Sequence, residues 1–92
     1  MRTVLNNHTG AKALANQPDV NHPGGWTTFH AVGTFASLVL YYSPYGKADA
    51  DVTGLAPVHT FTAPGVHSMY LAQGVLRVTC DATGAGVTLT AV

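Results

Sequence analysis

Short apolar runs alternate with turn-forming residues along the whole chain. The runs are rich in Val, Thr, Tyr and Phe, and the Gly and Pro residues, 15 of the 92, lie at the ends of the runs or between them. Because β-branched and aromatic residues favour strands and Gly and Pro end them, runs at roughly ten-residue spacing predict an all-β sandwich or barrel. The clearest runs are residues 26–32, 35–43, 57–63, 66–71, 75–81 and 87–92.

Two of these runs have one face that is predicted to enter a core. Successive residues of a strand point to opposite sides of a sheet, so residues two apart share a face. The runs 75–81 and 87–92 each place small or branched apolar residues at every second position. We therefore expect a core that includes Leu76, Val78 and Cys80 from the first run and Val87, Leu89 and Ala91 from the second.

The run 35–43 is apolar on both faces. This pattern is typical of a central strand that packs on the core with one side and on a second layer with the other. Another subunit is one candidate for that second layer. The alternation predicts one face with Phe35, Ser37, Val39 and Tyr41 and an opposite face with Ala36, Leu38, Leu40 and Tyr42.

The length of the chain allows one domain, residues 1–92, because two independent cores need more residues. Helix signals are nearly absent, since the only candidate segment, 11–16, is too short to be stable alone. We expect a single small antiparallel β-sandwich or jelly-roll-like barrel of about seven or eight strands. Residues 26–92 are predicted to form the sandwich core, and residues 1–25 an N-terminal arm or strand.

The composition excludes several classes of protein. The chain is 47% hydrophobic and 9% charged, with four Lys and Arg, four Asp and no net charge. A disordered chain is less hydrophobic, and four cations are too few for a nucleic-acid binder. No apolar run approaches the length of a membrane-spanning helix. Because a small neutral domain has little to keep copies apart, we expect a homo-oligomer, a dimer or trimer.

The residue types that carry catalysis or bind metals do not form a recognisable motif. Cys80 is the single cysteine and lies in an alternating strand, so we expect a buried thiol and no internal disulfide. The five histidines, His8, His22, His30, His59 and His67, contain no pair two residues apart on a strand face. We therefore predict no enzyme activity, no metal site and no cofactor. Protonation of the histidines near pH 6 is a candidate means of tuning an interface.

Aromatic residues are the candidate contact groups. Trp26 follows a Gly-rich turn, and Tyr41, Tyr42 and Tyr45 cluster where a strand ends in a turn. Tyr and Trp are favoured at protein interfaces, so we predict a subunit or partner interface at these four residues. Since Tyr41 and Tyr42 are adjacent, they point to opposite faces and at most one belongs to the core. A platform that stacks on sugar rings is the alternative.

Three segments carry a resemblance to a known class of protein. They are GTFASLVLYYSP at 33–44, TFTAPG at 60–65 and LAQGVLRVT at 71–79. Their order, with a strand before each turn, is similar to small virion proteins of tailed bacteriophages. The resemblance covers residues 26–92 and rests on turn and strand residues.

The resemblance implies a compact β-sandwich or jelly roll that decorates or cements a capsid by bridging neighbouring subunits. Its partners would be the major capsid protein, other virion proteins and further copies of itself, with no nucleic acid or membrane. It would be made in the host cytoplasm and reside in the virion. A small adhesive or carbohydrate-binding module of a tail or fibre, and a head–tail connector component, are the alternatives.

Overall fold

The structure, a computed structural model, describes residues 2–12, 20–43, 56–84 and 86–92, and all regular structure in these ranges is β-strand. The prediction of an all-β fold is therefore confirmed. The strands in chain order are β1 (Arg2–His8), β2 (Ala11–Lys12), β3 (Val20–His22), β4 (Gly25–Val32), β5 (Phe35–Ser43), β6 (Ala56–Phe61), β7 (Gly65–Leu71), β8 (Gly74–Ala82) and β9 (Val87–Ala91).

The strands pair into two antiparallel sheets. Sheet 1 has the order β1-β9-β4-β7, and sheet 2 has the order β2-β8-β5-β6 with β3 also paired to β8. Because Ala11 of β2 lies opposite Asp81 and Val20 of β3 opposite Leu76, these two strands follow one another along the same edge of β8. Each sheet thus has four strand positions, and this agrees with the prediction of about seven or eight strands.

The order of the strands is that of a jelly roll. The β1/β9 pair continues into the pair that β8 makes with β2 and β3, and the β4/β7 pair continues into β5/β6. Each of these two series of paired strands forms one long antiparallel ribbon. The two ribbons are joined side by side by the β9–β4 and β8–β5 pairings. This winding closes two sheets around one core and leaves β1, β7, β6 and the β2/β3 position at the edges.

The core lies between the sheets and contains the faces predicted from alternation. Every second residue of β8 and β9 is buried, because those residues point between the sheets. The buried hydrophobic cluster comprises Val4, Leu5, Phe29, Ala31, Phe35, Leu38, Leu40, Phe61, Leu71, Leu76, Val78, Cys80, Val87, Leu89 and Ala91.

A β-bulge changes the predicted face of one core residue. The alternation of β5 placed Phe35 opposite to Leu38 and Leu40, whereas the structure buries all three in the core. The register of β5 against β8 shifts between Phe35 and Ser37. An extra residue in one strand reverses the side to which the preceding side chain points, so Phe35 enters the core.

The outer face of sheet 2 is largely buried by the chain itself. On β5, Val39 and Tyr41 are half-buried and Ser43 is buried, and on β8 Val75 and Arg77 are buried as well. The expectation that β5 is covered on both sides is thus met in part within a single chain, since Ser43 is buried while Val39 and Tyr41 are half-buried.

The N-terminal residues belong to the sandwich. The alternatives for residues 1–25 were an arm or a strand, and the described part, residues 2–12 and 20–25, contains strands: β1 pairs with β9, and β3 pairs with β8. Val4 and Leu5 of β1 are both part of the core, because a register shift lies between Thr3 and Leu5.

A tight connection at Gly33 joins β4 of sheet 1 to β5 of sheet 2. Gly33 has a φ of +108°, a conformation that L side chains rarely adopt. A Cβ at this position would lie 2.8 Å from the Cα of Val87 and also clash with the carbonyl oxygen of Gly86. The absence of a side chain therefore lets this connection pass directly under the start of β9.

Replacing Gly33 with Ala should destabilise the fold more than the same change at Gly10. Gly10 also has a positive φ, +82°, but a Cβ there would meet nothing within 4 Å. Gly10→Ala should therefore cost about 1 kcal/mol of unfolding free energy from backbone conformation alone. Gly33→Ala adds a backbone clash and should cost about 3 kcal/mol or more. Urea denaturation measures both, and equal losses would show that the close approach at Gly33 is unimportant.

Candidate functional site

The exposed large hydrophobic side chains of the described residues all lie on one surface. They belong to β4, to β7 and to the residue after β9, which are neighbouring strands of sheet 1. Single exposed apolar residues are common on soluble proteins, whereas a group of them on one face marks a contact surface. The five are Trp26, Val32, Val66, Tyr70 and Val92.

Strand register brings the aromatic pair of this surface together. Trp26 of β4 lies directly opposite Tyr70 of β7, and His30 lies opposite Val66. Side chains of directly opposed residues point to the same side of a sheet. Phe29, the neighbour of His30 in β4, is fully buried, so Trp26, Tyr70 and Val66 point outward.

The end of the chain adds Val92 to the same surface. Its backbone N–H donates to the carbonyl oxygen of Thr28 at 2.9 Å, and the N–H of Thr28 donates to the carbonyl oxygen of Val92 at 3.0 Å. Val92 is therefore opposed to an outward-facing residue of β4. Val32, near the other end of β4, is opposed to Thr88 of β9 in the same way.

This surface, which we call the Trp26 face, carries no Asp, Glu, Lys or Arg. Its polar groups are short hydroxyls and one imidazole, and the hydroxyls of Thr28 and Ser68 lie 2.9 Å apart and bond to each other. An uncharged surface loses little solvation when another surface covers it. The Trp26 face comprises Trp26, Thr28, His30, Val32, Val66, Ser68, Tyr70, Thr88, Thr90 and Val92.

The two aromatic rings of the Trp26 face pack edge to face. Their centroids are 6.4 Å apart and their planes are inclined by 77°. Trp26 is 77% exposed and Tyr70 is 63% exposed, so the rings form a ridge and not a flat shared platform. A ridge of this kind fits into a pocket of another protein surface.

The structure does not bring the four predicted interface residues together. Trp26 lies on the outer face of sheet 1, and Tyr41 lies on the outer face of sheet 2, opposite Arg77. Tyr42 points toward the core, opposite Leu76, which agrees with the expectation that at most one of the adjacent tyrosines is internal. Tyr45 lies outside the described residues.

Tyr42 holds the turn between β7 and β8. Its hydroxyl donates to the carbonyl oxygens of Ala72 and Gln73, at 3.0 and 3.2 Å. Its ring covers Gly74, where a Cβ would lie 2.6 Å from the ring. Tyr42 thus has a structural role in this turn.

Tyr70 and Val66 are candidate contact residues that the sequence pattern did not single out. Their alternation with His67 and Met69 shows that they share a face. The pairing of β7 with β4, across more than thirty intervening residues, is what sets Tyr70 beside Trp26. No local pattern encodes that pairing, because it depends on the winding of the whole chain.

A cleft of about 410 Å³ opens between the sheets at one end of the sandwich. Its described lining has one guanidinium and two carboxamides and no carboxylate, and the cleft lies where the start of β1, the end of β3 and the β7–β8 turn meet. A small anionic group is the chemistry that such a lining fits best. The lining residues are Arg2, Asn21, His22, Pro23, Gln73 and Gly74.

His22 lies in this cleft and is a buried, neutral ring. The backbone N–H of Gly24 donates to Nδ1 at 2.9 Å, so Nε2 carries the proton and donates to the hydroxyl of Thr27. Burial, and then the positive charge of Arg2, lower the pKa of His22 below its usual 6.5, against a smaller opposing effect of the backbone at Ala72. His22 is thus part of the scaffold.

Two further kinds of site are absent from the described residues. In residues 2–12, 20–43, 56–84 and 86–92, no three His, Cys, Asp or Glu lie together to hold a metal ion. In the same ranges no helix is long and apolar enough to cross a membrane.

Cys80 is buried, as predicted, and burial followed by the charge of Asp81 raises its pKa above the usual 9.0. Its thiol therefore stays protonated and unreactive at neutral pH.

Acid should destabilise the fold in part through His22. Because its pKa is lower in the folded chain than in the unfolded one, its contribution is complete above about pH 6.5 and is lost as the pH falls toward the folded-state value. His22→Gln should lose about 1–2 kcal/mol at neutral pH from its hydrogen bonds. It should also show a shallower fall in unfolding free energy between about pH 7.5 and about pH 5.

Urea denaturation at the two pH values measures this effect, with His30→Gln as the control because His30 is exposed. A fall in the His22→Gln variant as steep as in the wild type would contradict the assignment of a neutral, buried ring.

Comparison of this chain with protein-family models, with curated proteins and with solved structures gives no match. The jelly-roll winding, the Trp26 face and the buried His22 are therefore observations on this chain's own residues. Among the described surfaces the Trp26 face is the strongest candidate for function, because it is exposed, apolar and uncharged.

Proposed function

We propose that this chain is a virion structural protein that decorates or cements a capsid by bridging neighbouring subunits, and that it docks through the Trp26 face. The observation that supports this most is the collection of all exposed large hydrophobic residues of the described chain on one uncharged face. An exposed apolar patch on a small domain is a liability unless a partner covers it.

The composition of the face favours a protein partner. Interface cores are depleted of charged residues and enriched in Trp and Tyr, and a few such side chains carry most of the binding energy. Trp26 and Tyr70 are those anchors, and the threonine hydroxyls around them suit the rim. A nucleic acid or an anionic membrane would instead require a row of Lys or Arg.

The fold and the charge are compatible with a repetitive assembly. Jelly rolls are used widely in viral capsid domains, and a chain with no net charge can be placed close to copies of itself. Docking to many equivalent positions lets a modest contact in each copy add to a strong attachment. A dimer or trimer of this chain would engage two or three neighbouring positions together.

The carbohydrate-binding alternative fits the Trp26 face less well. Sugar rings stack flat on an open aromatic face and need polar groups at its rim to bind their hydroxyls. Here the rings are inclined by 77°, and the hydroxyls of Thr28 and Ser68 bond to each other. A protein pocket that accepts a ridge makes better use of this arrangement.

Substitution of Trp26 should reduce attachment to the particle. Mass spectrometry of tailed-phage particles from the source of this chain should detect it at a fixed ratio to the major capsid protein. Added to particles that lack it, Trp26→Ala and Tyr70→Ala should co-sediment at least about tenfold less than the wild type, because loss of a central aromatic anchor costs on the order of 2 kcal/mol.

Tyr41→Ala and Thr60→Ala are the controls, since both residues lie on the outer face of sheet 2. Both controls should bind normally, and thermal melting should show that all four variants fold. Normal binding by Trp26→Ala and Tyr70→Ala would overturn the docking face. Absence of the chain from particles, with glycan binding that Trp26→Ala abolishes, would favour the carbohydrate-binding module.

A further inference from the structure

Two histidine rings stack on each other at one side of the sandwich. The imidazoles of His59 and His67 are 3.7 Å apart between centroids and inclined by only 6°. Parallel rings at this distance are in van der Waals contact over their whole faces. Neither ring is fully exposed, since both residues are half-buried.

The pair bridges the two sheets where neither edge has a strand neighbour. β6 is the edge strand of sheet 2 and β7 is the edge strand of sheet 1. His59 lies opposite the buried Leu40, and His67 lies opposite the buried Phe29. Both imidazoles therefore point inward, and their contact closes the gap between the sheets on this side.

The stacked rings cover part of the core. The ring of His59 also packs edge to face on Phe61, with centroids 4.5 Å apart, and Phe61 is buried. Met69, the next inward residue of β7 after His67, is half-buried and packs on the same core. If the two rings moved apart, water would reach Phe61 and Met69 from this side.

Stacking of the two imidazole rings is favourable when both are neutral and unfavourable when both are charged. Two imidazolium ions at 3.7 Å repel each other, and a half-buried position screens that repulsion poorly. The strands packed against β6 and β7 carry no Asp or Glu to compensate, because β5 and β4 contribute only tyrosines and His30 as titratable groups.

Those titratable groups do not face the stacked pair directly. His30 and Tyr70 are on the outer face of sheet 1 and Tyr41 is on the outer face of sheet 2, while Tyr42 bonds to the β7–β8 turn. Burial and then the neighbouring His67 lower the pKa of His59 below its usual 6.5. Since the folded-state pKa is the lower one, the contribution of His59 is complete above about pH 6.5 and is lost on acidification.

We propose that His59 and His67 form an acid-sensitive latch: as neutral rings they hold β6 and β7 together, and positive charge on the stacked pair opens this side of the sandwich. The opening is local, because the β9–β4, β9–β1, β8–β5 and β8–β3 pairings do not involve β6 or β7. It would expose an apolar strip of the core on acidification, since histidine is the side chain that changes its charge near physiological pH. This proposal does not depend on docking through the Trp26 face.

Amide hydrogen exchange on the intact chain tests the latch. Between about pH 7.5 and about pH 5, after correction for intrinsic exchange rates, protection of β6 and β7 should fall at least about tenfold, which corresponds to about 1.4 kcal/mol. Protection of β8 should change much less. An equal loss in β8 would mean global unfolding, and it would overturn the proposal.

Two substitutions and one control separate charge from packing. His67→Phe keeps a ring against His59 but cannot be protonated, so its β6 and β7 amides should lose less protection on acidification than those of the wild type, because only the burial of His59 still opposes a charge there. His67→Asn removes the stacking and should lose that protection already at neutral pH. His30→Phe should respond as the wild type does. An acid response of His67→Phe equal to that of the wild type, or full protection in His67→Asn, would overturn the latch.

Discussion

The fold depends on the contact between the inner faces of the two sheets. Phe29 of β4 and Leu38 and Leu40 of β5 are fully buried in strands at the centre of their sheets. Because a strand has two faces, each residue that enters this core leaves a neighbour pointing outward. Two sheets therefore have two inner faces, which cover each other, and two outer faces, which this contact cannot cover. The jelly-roll winding covers the two inner faces and does not by itself cover the two outer faces.

The two outer faces differ in how they are covered, and this difference supports a docking role. On sheet 2 the chain buries Val75, Arg77 and Ser43 with its own residues. On sheet 1 Trp26 and Tyr70 remain exposed. A small domain has a high ratio of surface to volume and cannot cover everything. Exposing a tryptophan on an uncharged sheet costs solubility, so the covering surface is best supplied by another molecule.

The sequence pattern predicted what depends on neighbouring residues, and it missed what depends on long-range pairing. Alternation identified the core side of β8 and β9 because that signal repeats every two residues. It placed Phe35 on the wrong face, because a bulge inserts one residue without a distinct composition. Trp26 was a predicted contact residue, but its partner Tyr70 follows from strand order. His59 and His67 are each four residues from Ala63. This equal spacing predicts that the two rings are in contact only when the turn between β6 and β7 is already known.

Histidine is the polar residue best suited to the places where the two sheets part. His22 lies at the cleft at one end, and His59 and His67 lie at the edge formed by β6 and β7. A buried carboxylate or ammonium at these positions would need a partner charge, and the chain is only 9% charged. A neutral imidazole needs one donor and one acceptor, or another ring to stack on. Placing histidines at these edges also makes the stability of the sandwich fall at low pH. Protonation would charge the edges, whereas the apolar core around Phe29 and Leu38 has no group to protonate.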